Sequence, residues 1–250
     1  MNPVILRPNA APVYSFLTLI QSQLSAEETL AGRKILDCGA GGLVPPVAVF
    51  AEQGMEAHGI DISEGQIAKA RAFCEQTGIP VALRVGNMRT LPYEDESFDY
   101  VYEHYSVCHL NPADTAATVA EMQRVLKSGG VAHFGVISTD SWPPSSFGTE
   151  RAPGEYWHPE QGEESLHALF SDRQVEALLA GWQVLRMEKA VRILRERGEE
   201  TTEEEWRSLY REAPAPCTEE EWTAQYPSRV SRFTYVHLNV DVRKPLLPAH

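Results

Sequence analysis

The sequence predicts an α/β domain built on a doubly wound, mostly parallel sheet. Short apolar runs alternate with amphipathic stretches from Arg33 to Ile137, the order that produces parallel strands joined by crossover helices. The first run opens into a glycine turn, Gly39-Ala40-Gly41-Gly42, and the second ends near an acid, Asp61, an arrangement suited to strand ends that gather along one crevice. With 250 residues, 43% of them hydrophobic, the chain can bury such a core and reads as one domain over 1–250.

Ile35-Leu36-Asp37-Cys38 is the first strand. Val44 and Pro45 each precede a proline and resist helical angles, so the next helix starts at Pro46, with Val47, Phe50 and Ala51 on one face. His58 to Ile62 ends the second strand, and Ser63 with Gln66 three residues on forms a capping box for a helix running to Gln76. Pro80 to Val85 is a short third strand and Phe98 to Glu103 a fourth. A helix over Pro112 to Leu126 carries Val119, Met122 and Leu126 at helical spacing and stops at Ser128-Gly129-Gly130; Val131 to Ile137 is the fifth strand.

Beyond it the rhythm changes. Asp140 to Gly162 contains Trp142, Pro143, Pro144, Pro153 and Pro159, and the region 140–170 is expected as a long ordered loop or lid. Ser171 to Leu179 restores a helix, and Trp182 to Leu194 and Phe233 to Val242 are late strands. Between those strands lies an acidic insert, 196–229, in which Thr202-Glu203-Glu204-Glu205-Trp206 returns 16 residues later as Thr218-Glu219-Glu220-Glu221-Trp222. Each copy is a Thr-x-x-Glu capping box that starts a short helix, serving either as solvated cover for the core or as a substrate lid.

Lys and Arg total 22 against 35 Asp and Glu, a net charge of −13 that repels phosphate backbones and anionic lipid, so neither nucleic acid nor membrane is expected as a partner. Residues 199 to 221 hold nine glutamates against Arg207 and Arg211, so about half of the imbalance belongs to the insert. The apolar stretch Val13 to Ile20 is interrupted by Ser15 and Thr18 and falls short of the roughly 20 residues of a spanning helix. Met1 to Arg7 lacks the basic region of an export signal. Cys38, Cys74, Cys108 and Cys217 are scattered without Cys-x-x-Cys spacing, which argues against zinc and against a disulfide framework. A cytoplasmic chain without a metal site is expected.

The glycine turn lets backbone approach a ligand, and the helix after it directs amide donors and its positive end toward an anion; tight turning alone is the competing reading. Pro45 and Pro46 donate nothing, which leaves the amides of about Gly41 to Val44, and Val44 stands where a dinucleotide-binding Gly-x-Gly-x-x-Gly needs its last glycine. Asp61 lies 24 residues after Asp37, where a carboxylate can bind the two hydroxyls of a ribose. Gly86-Asn87-Met88 adds a side-chain amide and an apolar thioether suited to an adenine.

Taken in order, the runs Ile35 to Gly41, Gly59-Ile60-Asp61-Ile62-Ser63, Gly86-Asn87-Met88, Leu91 to Asp99 and Arg124 to Gly130 resemble a class I S-adenosylmethionine-dependent methyltransferase of the small-molecule methyltransferase-domain type. The resemblance implies a cofactor-binding core over 30–140 within a Rossmann-like, seven-stranded sheet whose final strand is antiparallel. It implies S-adenosyl-L-methionine as cofactor and S-adenosyl-L-homocysteine as product. It also implies roles: Asp37, Gly39, Ala40 and Gly41 near the methionine part, Asp61 at the ribose hydroxyls, Asn87 and Met88 at the adenine, and Glu103 on the sulfonium side, with Ile62 a further cofactor contact. Three positions depart from the family pattern: Leu43 for a third glycine, Asn87 for an aspartate, and Ser128 for a proline.

Methyl transfer from a sulfonium is an in-line displacement that needs near-attack geometry and, for an oxygen or protonated nitrogen nucleophile, a proton acceptor. Glu103, His104, Tyr105 and His109 at the end of the fourth strand are the candidates, with His104 the first choice as base because its ordinary pKa is nearest neutrality. A structural histidine bonding backbone is the alternative at each position, and Glu103 has another, accepting from the cofactor's ammonium. Tyr14, His109, Trp142 and Tyr156 are the expected substrate contacts. A catalytically inactive cofactor-binding or sensor protein of the same fold is the competing function.

Overall fold

The computed structural model describes residues 11–160, 163–194 and 233–246; the acidic insert and its two expected helices lie outside the described residues. The elements run α1 (Ala11–Ser22), β1 (Lys34–Cys38), α2 (Val47–Glu52), β2 (Glu56–Asp61), α3 (Glu64–Thr77), β3 (Ala82–Val85), β4 (Phe98–Glu103), α4 (Pro112–Val125), β5 (Leu126–Ser138), β6 (Thr149–Ala152), β7 (Glu155–Glu160), β8 (Glu163–Phe170), α5 (Asp172–Leu178), β9 (Gln183–Leu194) and β10 (Phe233–Arg243). Strands β3-β2-β1-β4-β5 are parallel neighbours, and β10 joins β5 antiparallel and carries β9 on its far side. That seven-stranded order, with one reversed strand, is the doubly wound sheet expected from the sequence. A meander, β6-β7-β8, extends it: Ile137 pairs His237 on one edge and Leu169 on the other, so β8 runs beside β5 where β4 has ended.

Local chemistry sets the helix ends. Ser63 Oγ accepts from Gln66 N at the start of α3, and Gly78 closes that helix in the left-handed region that favours glycine. Asn111 accepts from Asp114 N to start α4, with Pro112 in its first turn, and Ser171 and Gln174 form a reciprocal capping box on α5.

Both faces of the central strands β1, β4 and β5 are buried, as the core of a parallel sheet requires. Leu36, Cys38 and Val101 pack on one face beneath α4 and α5, while Ile35, Tyr100 and Tyr102 pack on the other beneath α1 and α2. Phe16 of α1 is the plug of the second face. It is fully buried, with ring centroids 6.2 Å from Phe50, 5.7 Å from Tyr102 and 5.7 Å from His133. Between β5 and β10 His133 Nδ1 pairs with Asp241 Oδ1 at 2.8 Å, and Arg186 Nε donates to the other oxygen of that carboxylate at 2.7 Å.

Arg124 on α4 donates to the carbonyls of Tyr93 at 2.8 Å and Leu91 at 2.9 Å and to the carboxylates of Asp95 and Glu121; Glu121 in turn accepts from Leu91 N. The stretch before β4 is thereby fastened to α4 by charge-assisted bonds.

Two sequence expectations change. The helix ends at Val125 and β5 begins at once at Leu126, so Ser128-Gly129-Gly130 is an irregularity within the strand and not a stop before it. Gly129 holds φ +78, and a Cβ on Gly130 would press on the Asp99 carbonyl, which is why glycines stand there. The expected loop over 140–170 is largely the β6-β7-β8 meander. Pro153-Gly154, with Gly154 at φ +78, is the turn of its first hairpin, and the remaining prolines obscured the strand pattern.

Replacing Phe16 by alanine should cost about 3–5 kcal/mol of folding free energy, the usual range for emptying a buried aromatic site. Urea denaturation of the two proteins measures it, and a loss under about 1 kcal/mol would remove Phe16 from its central place in this face.

Candidate functional site

The loop after β1 is held by the strand beside it. Gly39 and Ala40 donate to the Ile60 carbonyl at 2.8 and 3.0 Å, Gly41 donates to Asp61 Oδ2 at 3.1 Å, and Gly42 donates to the Gln66 carbonyl at 3.1 Å. The amides of Gly41 and Gly42, expected from the sequence to face an anion, are therefore engaged inside the protein. The two glycines instead give room. A Cβ on Gly39, whose φ is +94, would overlap the Ser106 hydroxyl, and one on Gly41 would overlap the Asp61 carboxylate and Gln66. Met88 Cε lies 4.0 Å from the same point at Gly39. The ends of β1, β2 and β4 and the loop after β3 thus meet in one cradle, whose close approach depends on Gly39 and Gly41 having no side chain. Asp37 is buried just before the loop.

Asp61 Oδ1 accepts from Ser63 N at 2.8 Å. With one bond on each oxygen, a carboxylate with about four lone-pair sites keeps capacity for two hydroxyl donors. Beside it Ile62 is 66% exposed, a large apolar side chain on the rim of a crevice. Asn87 Oδ1 accepts from Arg89 N at 2.9 Å and from Arg89 Nε at 3.1 Å, and Arg89 pairs with Asp114 at 2.7 Å. The Asn87 carbonyl oxygen is thus engaged by Arg89 inside the protein.

At the end of β4 the Glu103 carboxylate is fully buried. Its Oε1 accepts from Ser106 N at 2.7 Å and Val107 N at 2.9 Å, and its Oε2 accepts from Gly135 N at 3.3 Å. Burial pushes its pKa up to about 7 against the lowering effect of those three amides. His104 sits among Tyr102, Tyr105, His133 and His237, with its ring centroid 3.8 Å from that of Tyr105 and 4.6 Å from that of His237. Both of its ring nitrogens are buried without a hydrogen-bond partner, and desolvation holds its pKa well below the ordinary histidine value. Tyr105 adopts φ +68, one of two non-glycine positive φ values among the described residues. That turn sends Ser106 toward Gly39 and Tyr105 into a separate cavity.

The cavity, about 340 Å³, lies between the turn after β4, the meander and β10. Tyr105, His109, Phe147, His158, His167 and Tyr235 line it, and no Asp, Glu, Lys or Arg does among the described residues. The short 3-10 helix Val107–His109 carries His109, whose Nδ1 lies 2.9 Å from the Leu166 carbonyl. Tyr156 packs against the apolar group formed by Cys108, Ile137, Phe147 and Leu169, the first three of which belong to the cavity wall. Trp142 is 65% exposed and Tyr14 37% exposed; neither lines the cavity. Ser106 has no sequence signature of its own, since its place opposite Gly39 depends on the pairing of β1 with β4. No group of three or more His, Cys, Asp or Glu among the described residues is arranged to hold a metal ion, and no described helix is long and apolar enough to cross a membrane.

Residues 35–130 match the family model described as a methyltransferase domain. The chain is 34% identical over 118 residues to squalene methyltransferase 1 of Botryococcus braunii, covering 46% of this chain and 31% of that protein. It is 34% identical over 116 residues to a ubiquinone biosynthesis O-methyltransferase of Methylococcus capsulatus, covering 46% of this chain and 48% of that protein. The chain therefore spans less than half the length of either curated relative. Its fold resembles that of a solved S-adenosylmethionine-dependent methyltransferase from Methanosarcina mazei, with a TM-score of 0.62 at 17% identity over 92% of this chain and 98% of that one. The glycine turn, the acid at the end of β2 and the β3-β2-β1-β4-β5 order agree with the fold of solved S-adenosylmethionine-dependent methyltransferases, and residues 35–130 match a methyltransferase domain.

Proposed function

We propose that this chain transfers the methyl group of S-adenosylmethionine to a small-molecule acceptor. The observation that carries the reading is the convergence of Gly39, Gly41, Asp61, Met88 and Ser106 at four neighbouring strand ends, beside a separate uncharged cavity. The bound cofactor supplies an electrophilic methyl group on a sulfonium. Asp61 would accept the two ribose hydroxyls with its remaining lone pairs, and Ile62, Asn87 and Met88 would hold the nucleoside end of the cofactor. Gly39 and Ala40, fixed to Ile60, keep the chain low beneath the methionine part, with Asp37 behind them. Glu103 is a positioning residue: its three amide bonds hold the turn that separates cradle from cavity.

This division suits methyl transfer, which draws most of its acceleration from holding two partners in line. The uncharged cavity lining supports a neutral small molecule as acceptor, whereas a basic interior would have spoken against it.

Asp61→Asn should weaken S-adenosylhomocysteine binding about tenfold, roughly 1.4 kcal/mol, by removing the charge from two hydroxyl contacts. Isothermal titration reads the change; equal affinity would remove Asp61 from the cofactor site, and no binding by the unaltered chain would end the reading. Release of S-adenosylhomocysteine over a panel of phenols, alcohols and amines then tests turnover, and binding without release on any of them would favour the inactive binding protein.

Glu103 also makes a pH prediction. A carboxyl whose pKa is raised from 4.5 to about 7 on folding holds its proton more tightly in the native state, so its stabilising contribution is complete below about 4.5 and is lost as pH rises through about 7. Two and a half units correspond to about 3 kcal/mol. Denaturation at pH 5 and pH 8 should therefore show a larger stability loss for the unaltered chain than for Glu103→Gln, and parallel losses would contradict it.

A further inference from the structure

We propose that His109 is the proton acceptor of this site and that the cavity it borders takes an uncharged aryl acceptor bearing a hydroxyl group; the proposal rests on the methyl-transfer reading above. His109 Nδ1 lies 2.9 Å from the Leu166 carbonyl and 3.2 Å from Ser165 Oγ. A carbonyl oxygen can only accept, so Nδ1 carries the hydrogen, and the lone pair of the neutral ring sits on Nε2. Leu166 and Ser165 belong to β8, so the tautomer and the ring orientation are set by the strand that extends the sheet beside β5. His109 is exposed, and the His167 ring stands edge-on to it at 4.9 Å. An imidazole anchored at one nitrogen and open at the other is a general base in waiting.

His104 offers no comparable outlet. Its two nitrogens are enclosed by the rings of Tyr102, Tyr105, His133 and His237. The turn at Tyr105 brings the two places together: Ser106 lies against Gly39 while its neighbour Tyr105 lines the cavity, so cradle and cavity are adjacent across one residue of chain. The chemistry of that cavity points to the ligand class. Tyr105, Phe147, His167 and Tyr235 present ring surface, and no fixed charge among the described residues lines it. A neutral aromatic ring satisfies those walls, and at about 340 Å³ the cavity is near the small end of ligand sites.

The step balances. The acceptor's O–H bond breaks and its proton goes to His109 Nε2, while an oxygen electron pair forms the new bond to the methyl carbon. The carbon–sulfur bond breaks with its electron pair staying on sulfur. The positive charge that leaves sulfur reappears on the imidazolium, which returns its proton to water from its exposed side.

The test uses 4-nitrophenol, whose ionised form absorbs visible light, titrated into the full chain below the phenol's own pKa, with and without S-adenosylhomocysteine. His109 should draw the bound probe toward the phenolate, so a phenolate band grows on titration. His109→Asn keeps an amide hydrogen for the Leu166 carbonyl and removes Nε2, and His109→Gln serves if the asparagine variant does not fold. Either should bind the probe with the band lost. A band of equal size in a folded variant would overturn the role of His109, and absence of probe binding to the unaltered chain would overturn the aryl assignment. Nitrogen NMR of the unaltered chain gives a variant-free check: an Nε2–H tautomer at His109 would also overturn the proposal. Failure of S-adenosylhomocysteine to bind would instead strike the functional reading, since the probe is also titrated without it.

Discussion

Glu103 commits both carboxylate oxygens to backbone amides, Oε1 to Ser106 and Val107 and Oε2 to Gly135, and the layout of the working end of the sheet follows from that pairing. A buried carboxylate is costly unless its lone pairs are satisfied, so the chain leaving β4 must turn where those amides can reach it. The turn forces Tyr105 into the left-handed region, where a bulky residue is strained, and the strain persists because the carboxylate and the packing around it determine the conformation. The third amide belongs to β5, so the turn is also registered against the neighbouring strand. Cradle, dividing wall and cavity meet at one buried carboxyl group.

The parts of this fold legible in the sequence are those that local chemistry decides. Phe98–Glu103 as a strand, Pro112 as a helix start, Ser63 as a cap and the two late strands follow from apolar period and end residues, and the structure has each of them. The glycine pair before Val131 was ambiguous because the same residues suit a helix stop and a bulge, and only the partner strand decides between them. The meander hid behind its prolines, although Pro153-Gly154 carried a turn signal of its own.

The cradle was legible for the same local reason: Gly39, Gly41 and Asp61 advertise a close approach and a carboxylate at strand ends. What sequence reasoning could not reach depends on distant partners. Nothing local to Asn87 tells that Arg89 takes its carbonyl, and the partner of His109 Nδ1 is a strand residue 57 positions away. Arg124, a marker of resemblance in the sequence, is in the structure a fastener that ties the Leu91 to Asp95 stretch to α4. A recognisable motif can thus record a structural knot as well as contact with a ligand.

The cavity draws Phe147, His158, His167 and Tyr235 from beyond the segment that matches the methyltransferase family model, whereas the cradle lies wholly inside it. The two halves of the site are therefore written in separable stretches of chain. On the proposed reading, drift in the later stretch would alter which molecule is admitted while the earlier one is kept, so chains that share residues 35–130 of this architecture need share no substrate. The matched segment would then record the donor, and the walls added by the meander and β10 the acceptor.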